Sequence, residues 1–285
     1  MSTFLEKHKR QPKIYIDLPS KGQWYDPTIV EKAEGLAVFG MSAMDEIILK
    51  TPDALFSGEA TAQVIRSCIP QILDPWKLIG YDIDYVLTAI RIATYGDGMD
   101  ISTTCRHCDS THGGTVSLTY LLEKINQNDL EYTFQMDGLN FAIQPIDYKT
   151  QTDFSVESYT LERQILDVEK QDVSREEKDK QLQTLMTQAA QLNIRVAVAH
   201  LASIDNGEEK EVDRSVILEW IKDNDATFYD KLKTGIYELT NRWELPPFEV
   251  QCENEECGKT YTTKLDMDYS NFFGARSLSS RNLIY

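Results

Sequence analysis

Cys105-Arg-His-Cys108 and Cys252-Glu-Asn-Glu-Glu-Cys257 are the two stretches from which the fold is read. Met99-Asp-Ile-Ser-Thr-Thr precedes the first pair and Gly113-Gly-Thr-Val-Ser-Leu follows it. Phe248-Glu-Val-Gln precedes the second, and Tyr261-Thr-Thr-Lys-Leu follows. Each stretch reads as strand, tight cysteine turn, strand. Two such units facing each other make a four-cysteine zinc ribbon, each hairpin supplying one pair of thiolates. The chemistry requires this layout. Zn2+ takes four tetrahedral thiolates, and a short turn sets two of them on one side of the ion. Cys105, Cys108, Cys252 and Cys257 are therefore the expected ligands of one structural Zn2+ per chain. The C-x4-C spacing of the second pair is looser than the commoner C-x2-C.

Other uses of the cysteines fit less well. A disulfide framework belongs to secreted chains, and nothing in the sequence points to secretion. A redox C-x-x-C sits at a helix N-terminus, where the thiol pKa falls; Cys105 and Cys108 lie between strand-like segments instead. A catalytic zinc keeps a position open for water, whereas four cysteines close the shell. His107 and His112 flank the first pair and could replace a cysteine, but four thiolates give them no necessary role. Cys68, alone in an apolar helical stretch, reads as a buried small hydrophobe.

The 285 residues allow one large or two small domains, and a hydrophobic content of 41% is enough for a proper core. The formal net charge is -17. That argues against a nucleic-acid partner, because binding DNA or RNA needs a positive face that displaces counterions. No apolar run is long enough to span a bilayer. Met1–Arg10 lacks the apolar core of a signal peptide. With reduced cysteines, these features place the chain in a cytoplasm.

Residues 1–40 read as an extended N-terminal arm with short strands. Lys13-Ile-Tyr-Ile alternates, Pro19-Ser-Lys-Gly22 turns the chain, and Leu18, Trp24 and Tyr25 pin it. The turn chemistry favours packing of this segment on its own domain. Under the sharper alternative, Leu18, Trp24 and Tyr25 bind a partner. Ser20-Lys21-Gly22 lacks the glycine spacing of a phosphate loop. Residues 41–98 read as an N-terminal helical domain. Ser42 caps residues 43–50 with Asp45 three residues on. Pro52 restarts a short helix, and Ala60–Ile69 carries Val64, Ile65, Cys68 and Ile69 at helical spacing. Asp82 is expected to cap a helix from Ile83 to Tyr95 that Gly96-Asp97-Gly98 stops.

Residues 99–118 plus 248–269 form the split zinc ribbon. Residues 119–247 are a mainly helical insertion with hairpins. A short helix runs from Leu118 to Gln127, and a hairpin turns at Asp137-Gly138. Tyr148–Lys170 is helical, and the capping box Ser174-Arg-Glu-Glu177 opens a helix to about Ala202. A second hairpin turns at Asn206-Gly207, and helices follow from Asp213 and from Ala226 to Glu244. Residues 270–285 are a C-terminal tail. The expected class is α+β: mainly helical, with β-hairpins and a discontinuous four-cysteine zinc ribbon. The zinc would close a loop of roughly 140 residues, so its expected role is a clasp.

A catalytic constellation is not visible. The histidines are His8, His107, His112 and His200, and His200 sits on an apolar helix stretch as a core residue. There is no nucleophile elbow, no H-E-x-x-H and no glycine-rich nucleotide loop. The chain reads as a structural or assembly protein rather than an enzyme.

Several of the same residues carry a resemblance. Leu18-Pro-Ser-Lys-Gly, a helix leading into Tyr95-Gly-Asp, the Cys105-x2-Cys108 knuckle, and a terminal knuckle leading to Asn271-Phe-Phe stand in this order. The pattern resembles the baseplate hub and hub-assembly proteins of contractile-tailed bacteriophages of the T4 type. The resemblance implies a non-enzymatic role in building the tail hub, with hub subunits and the tape-measure protein as partners. It places the chain in the host bacterial cytoplasm during assembly, with retention in the virion tail baseplate left open. Phe272 and Phe273 read as a lid on the ribbon or a contact, and Leu283, Ile284 and Tyr285 as a docking end. Two readings from other classes compete: a zinc-ribbon adaptor contacting host transcription machinery, and a metalloenzyme with an open zinc position.

Overall fold

The computed structural model describes residues 8–51, 57–125, 132–243 and 247–263. Pro12–Ile16 (β1) turns Ile14 and Ile16 inward and Lys13 and Tyr15 outward, the period of two of a half-buried strand. It pairs antiparallel with Leu36–Phe39 (β2), Ile16 opposite Leu36. Ala43–Leu49 (α1) starts at Ser42, whose hydroxyl accepts from the Asp45 amide while the Asp45 carboxylate accepts from the Ser42 amide. This is the reciprocal cap expected there. Glu59–Cys68 (α2) and Gly80–Tyr95 (α3) follow, and Gly98–Thr104 (β3) pairs antiparallel with Thr111–Ser117 (β4). Leu118–Ile125 (α4) continues from β4. α3 lies against β1, β2, α2 and α4. Leu36 and Val38 of β2, Val64 and Ile65 of α2, and Val86, Leu87 and Ile90 of α3 are wholly buried. The expected short helix after Pro52 lies outside the described residues.

Asp82 is not a cap. The helix begins two residues earlier, at Gly80, and puts Asp82 in its first turn at the bottom of the core. Its carboxylate accepts from the Ser20 amide (3.1 Å), the Ser20 hydroxyl (2.5 Å) and the Tyr25 hydroxyl (2.6 Å). The Tyr25 oxygen in turn accepts from the Ile79 amide at the head of the helix (3.0 Å). The Leu18-Pro-Ser-Lys-Gly turn is therefore built to carry donors to a buried carboxylate. Lys21 and Gly22 both have positive φ, and a Cβ on Gly22 would lie 2.8 Å from that of Ala33. Only glycine meets both demands at that position.

Burial holds the Asp82 carboxyl above its ordinary range, while the bonds from Ser20 and Tyr25 pull it back. A raised value means that the fold binds this proton more tightly than the unfolded chain does. The contribution is whole below about pH 4, the ordinary carboxylate value, and is lost as pH climbs through the raised one. Asp82→Asn is therefore expected to gain thermal stability relative to the native chain as pH rises from about 4, then to level off. Melting curves across pH measure the difference, and a difference drifting in the native chain's favour contradicts it.

The chain divides into two compact units, Met1–Asn128 with Glu244–Tyr285, and Asp129–Trp243. In the second, Thr133–Met136 (β5), Leu139–Ile143 (β6), Leu201–Asp205 (β7) and Lys210–Glu211 (β8) make one antiparallel sheet in that order. The sequence suggests two separate hairpins and a helix reaching Ala202. The structure ends that helix at Ala199 and uses Leu201–Asp205 as a strand beside β6, with Ile204 opposite Phe141. Tyr148–Lys170 (α5) and Arg175–Ala199 (α6) lie against each other across a short connection. Phe154, Ser158, Leu161, Ile165 and Val168 on α5, and Leu182, Leu185, Ala189 and Leu192 on α6, are among their covered positions. They alternate by threes and fours, the seam of an antiparallel helical hairpin.

Arg214–Lys222 (α7) and Ala226–Thr240 (α8) complete this unit, with a 3-10 turn at Asn241–Trp243 where helix is expected. Phe141 is fully buried, its ring stacked on Phe134 at 5.0 Å and tilted against Phe228 at 6.4 Å. Gly235 sits mid-helix because a Cβ there would lie 2.5 Å from the Phe134 ring. No described helix is long and apolar enough to cross a membrane. The fold is α+β, as the sequence leads one to expect.

Candidate metal centre

The four cysteines come together on two hairpins of the first unit, β3–β4 and the pair Phe248–Gln251 (β9) and Thr260–Thr263 (β10). The two cysteine loops are built alike despite their different lengths. In each, the amide of the first cysteine donates across the loop neck: Cys105 to Ser110 (2.9 Å), Cys252 to Lys259 (3.0 Å). In each, the residue after the second cysteine turns the chain with positive φ, Asp109 at 56° and Gly258 at 55°. The two extra residues of the second loop are absorbed by Asn254, whose carbonyl accepts from the amides of both Cys257 and Gly258 at 2.9 Å.

The hairpins are tied to each other by side chains. The Thr103 and Tyr261 hydroxyls lie 2.6 Å apart, and Asn254 Nδ2 donates to Ser110 Oγ (3.1 Å). Cys105, Cys252 and Tyr261 form a small buried core with Val250, Cys108 and Cys257 packed on it.

The ligand atoms of Cys105, Cys108, Cys252 and Cys257 all lie within 4.8 Å of one another. Cys105 Sγ is 4.0 Å from Cys257 Sγ, and Cys108 Sγ is 3.6 Å from Cys252 Sγ. A disulfide requires about 2.05 Å. Four thiolates at the zinc–sulfur distance on a tetrahedron stand about 3.8 Å apart. The observed separations bracket the second value and are far from the first, so the set fits a metal ion of that size and softness. Donors surround the sulfurs: the His107 amide reaches Cys105 Sγ at 3.4 Å. The hydroxyl and amide of Ser110 draw the Cys108 thiol down to about 6, while burial pushes Cys252 up to about 12.

His112 has a place the sequence does not assign it. Its Nε2 is 3.1 Å from Cys252 Sγ, and against a thiolate the imidazole is the donor. Within its own hairpin His112 pairs with Thr103, and no local signal in the sequence marks its contact with Cys252, 140 residues away. His107 is exposed on the loop. Cys68 is wholly buried and apart from the cluster, its thiol pushed up to about 12 chiefly by burial. His200 is half-buried, with Nδ1 3.4 Å from the Gln144 carbonyl, and burial lowers its pKa.

Leu18 is 1% exposed inside its own unit, Tyr25 is bonded to Asp82 and Ile79, and Trp24 is half-buried. Phe272, Phe273, Leu283, Ile284 and Tyr285 lie outside the described residues. A family model described as T4 bacteriophage base plate protein matches residues 12–274. No curated protein and no solved structure matches the chain.

Proposed function

The chain belongs to the T4 bacteriophage base plate protein family, and from that membership we propose that it is a structural or assembly protein of the contractile-tail hub, clasped by one Zn2+. Its partners in this reading are hub subunits and the tape-measure protein. The family supports association with the virion tail and contact with other tail proteins, and is consistent with a non-enzymatic role. The clasp rests on one observation: four thiols whose sulfurs all lie within 4.8 Å of one another, drawn from hairpins whose cysteines stand 144 residues apart between Cys108 and Cys252. Cys105, Cys108, Cys252 and Cys257 would hold the ion, which supplies cross-linking and fills its shell with sulfur. By the chain-entropy model, a link across a loop of this length disfavours the unfolded chain by about 5 kcal/mol.

Within the clasp, His112 steadies Cys252 by donating to its sulfur. His112→Ala is expected to weaken zinc binding by about tenfold, the usual cost of losing a partner behind a ligand. Competition with a chromophoric chelator reads the affinity, and unchanged affinity removes this role. The function is tested by purifying the chain from cells that also express the phage's hub and tape-measure proteins, with zinc measured on the same sample. Co-purification with about one zinc per chain is expected for one closed four-cysteine site. If hub and tape-measure proteins never bind it, the hub assignment fails.

A further inference from the structure

In the second unit, the β7–β8 hairpin and α7 enclose a groove of about 690 Å³. Its floor is apolar: Leu139, Ile204, Val216, Ile217 and Trp220 line it. Val216 is 50% exposed and Trp220 36% exposed, and Val212, just beyond, is 60% exposed. The rim is acidic. Asp205, Glu209 and Glu211 line it, Glu208 stands next to it, and Lys210 is the one ammonium among them.

Two of these carboxylates, Asp205 and Glu211, are held by hydrogen bonds from neutral groups. Asp205 accepts from Asn140 (2.8 Å) and the Gly207 amide (3.2 Å), and Glu211 accepts from the Val212 and Asp213 amides (2.8 and 2.7 Å). Asn206 Oδ1 accepts from the amides of Glu208 and Glu209, fixing the turn that carries them. Among the described residues, none of the four carboxylates is in an ion pair.

An exposed indole over an apolar floor is the kind of anchor that dominates interface energies. Uncompensated charge around it selects the sign of the partner and speeds encounter. We propose that this groove docks a peptide segment of a partner protein that carries bulky apolar side chains flanked by lysine or arginine. The segment's apolar residues cover Val216 and Trp220, and its cations meet the carboxylates of the β7–β8 turn. The groove uses only residues of Asp129–Trp243, whereas the four cysteines belong to the other unit. Its failure would therefore leave the zinc clasp untouched, and loss of the clasp would not by itself decide this site.

The test uses the full metal-loaded chain and a short fluorescein-labelled peptide of leucine and lysine, with leucines spaced along one helical face. Fluorescence anisotropy is expected to show saturable binding. It should weaken about tenfold or more in Trp220→Ala and in the pair Glu208→Lys with Glu209→Lys. It should be unchanged in Glu176→Lys with Glu177→Lys, which reverses the same charge on the exposed first turn of α6. The groove charge pair leaves the edge-on packing of Trp220 against Phe228 intact, so a folding defect in Trp220→Ala does not decide the outcome. Absent saturable binding, equal loss in the control pair, or equal binding of the same peptide with glutamate for lysine would each overturn the proposal. So would a dimer of the unliganded chain that Trp220→Ala dissociates, because the occupant would then be a second copy.

Discussion

Cys105→Ser and Cys257→Ser chains are expected to lose their zinc and about 5 kcal/mol or more of stability in the unit that holds the hairpins. Three separate losses combine in each variant. The tetrad falls to three thiolates, and a hydroxyl is a poor substitute for sulfur at a site of this softness. The link between residues on either side of the Asp129–Trp243 unit disappears, restoring freedom to the unfolded chain. The small core of Cys105, Cys252 and Tyr261, which is too meagre to hold two short hairpins without the ion, opens to water. Cys68→Ser is the matched control. It alters a buried thiol in α2, so it lowers stability, but it leaves the zinc content as it was. Metal analysis and thermal melting on the same preparations read both quantities. Native zinc content and native melting in both ribbon variants would contradict the clasp.

Phe141→Ala is expected to cost about 3–5 kcal/mol in the second unit while leaving one zinc per folded chain. Phe141 is fully buried on β6, and the Phe134 and Phe228 rings pack on it from the neighbouring strand and from α8. Removing the ring leaves a cavity that the edge strand β5 and the first turn of α8 must collapse to fill. The four cysteines all belong to the other unit, which is why their metal content is a separate readout. Amide exchange of β6 and β7 measures the loss. A cost below about 1 kcal/mol would mean that this aromatic cluster is not the core of its unit.

The parts of this fold that depend on neighbouring residues were legible in the amino-acid order. Ser42 with Asp45 and Ser174 with Glu177 announce helix starts that the structure has, because the caps are local hydrogen bonds. The cysteine pairs announce two knuckles, because a turn that presents two thiols together is also local. What failed depends on distant partners. Asp82 looks like a cap because aspartate favours that position, yet Ser20, 62 residues away, claims its carboxylate. The hairpin at Asn206-Gly207 was legible, but Leu201-Ala202 continues the apolar run of α6, and pairing of Leu201 with Ile143 of β6 starts the strand earlier. His112 looked superfluous beside four thiols, and its contact with Cys252 spans 140 residues. The acidic, apolar-floored groove was not legible at all, since Leu139, Ile204 and Trp220 come together only in the folded unit.

The most direct test of the central claim is X-ray absorption at the zinc edge on the purified chain. One zinc with four sulfur neighbours at about 2.3 Å and no bound nitrogen or oxygen is expected. Fewer than four sulfurs, with nitrogen or oxygen completing the shell, would contradict a closed four-cysteine clasp. A zinc-free chain with native stability would contradict the clasp altogether.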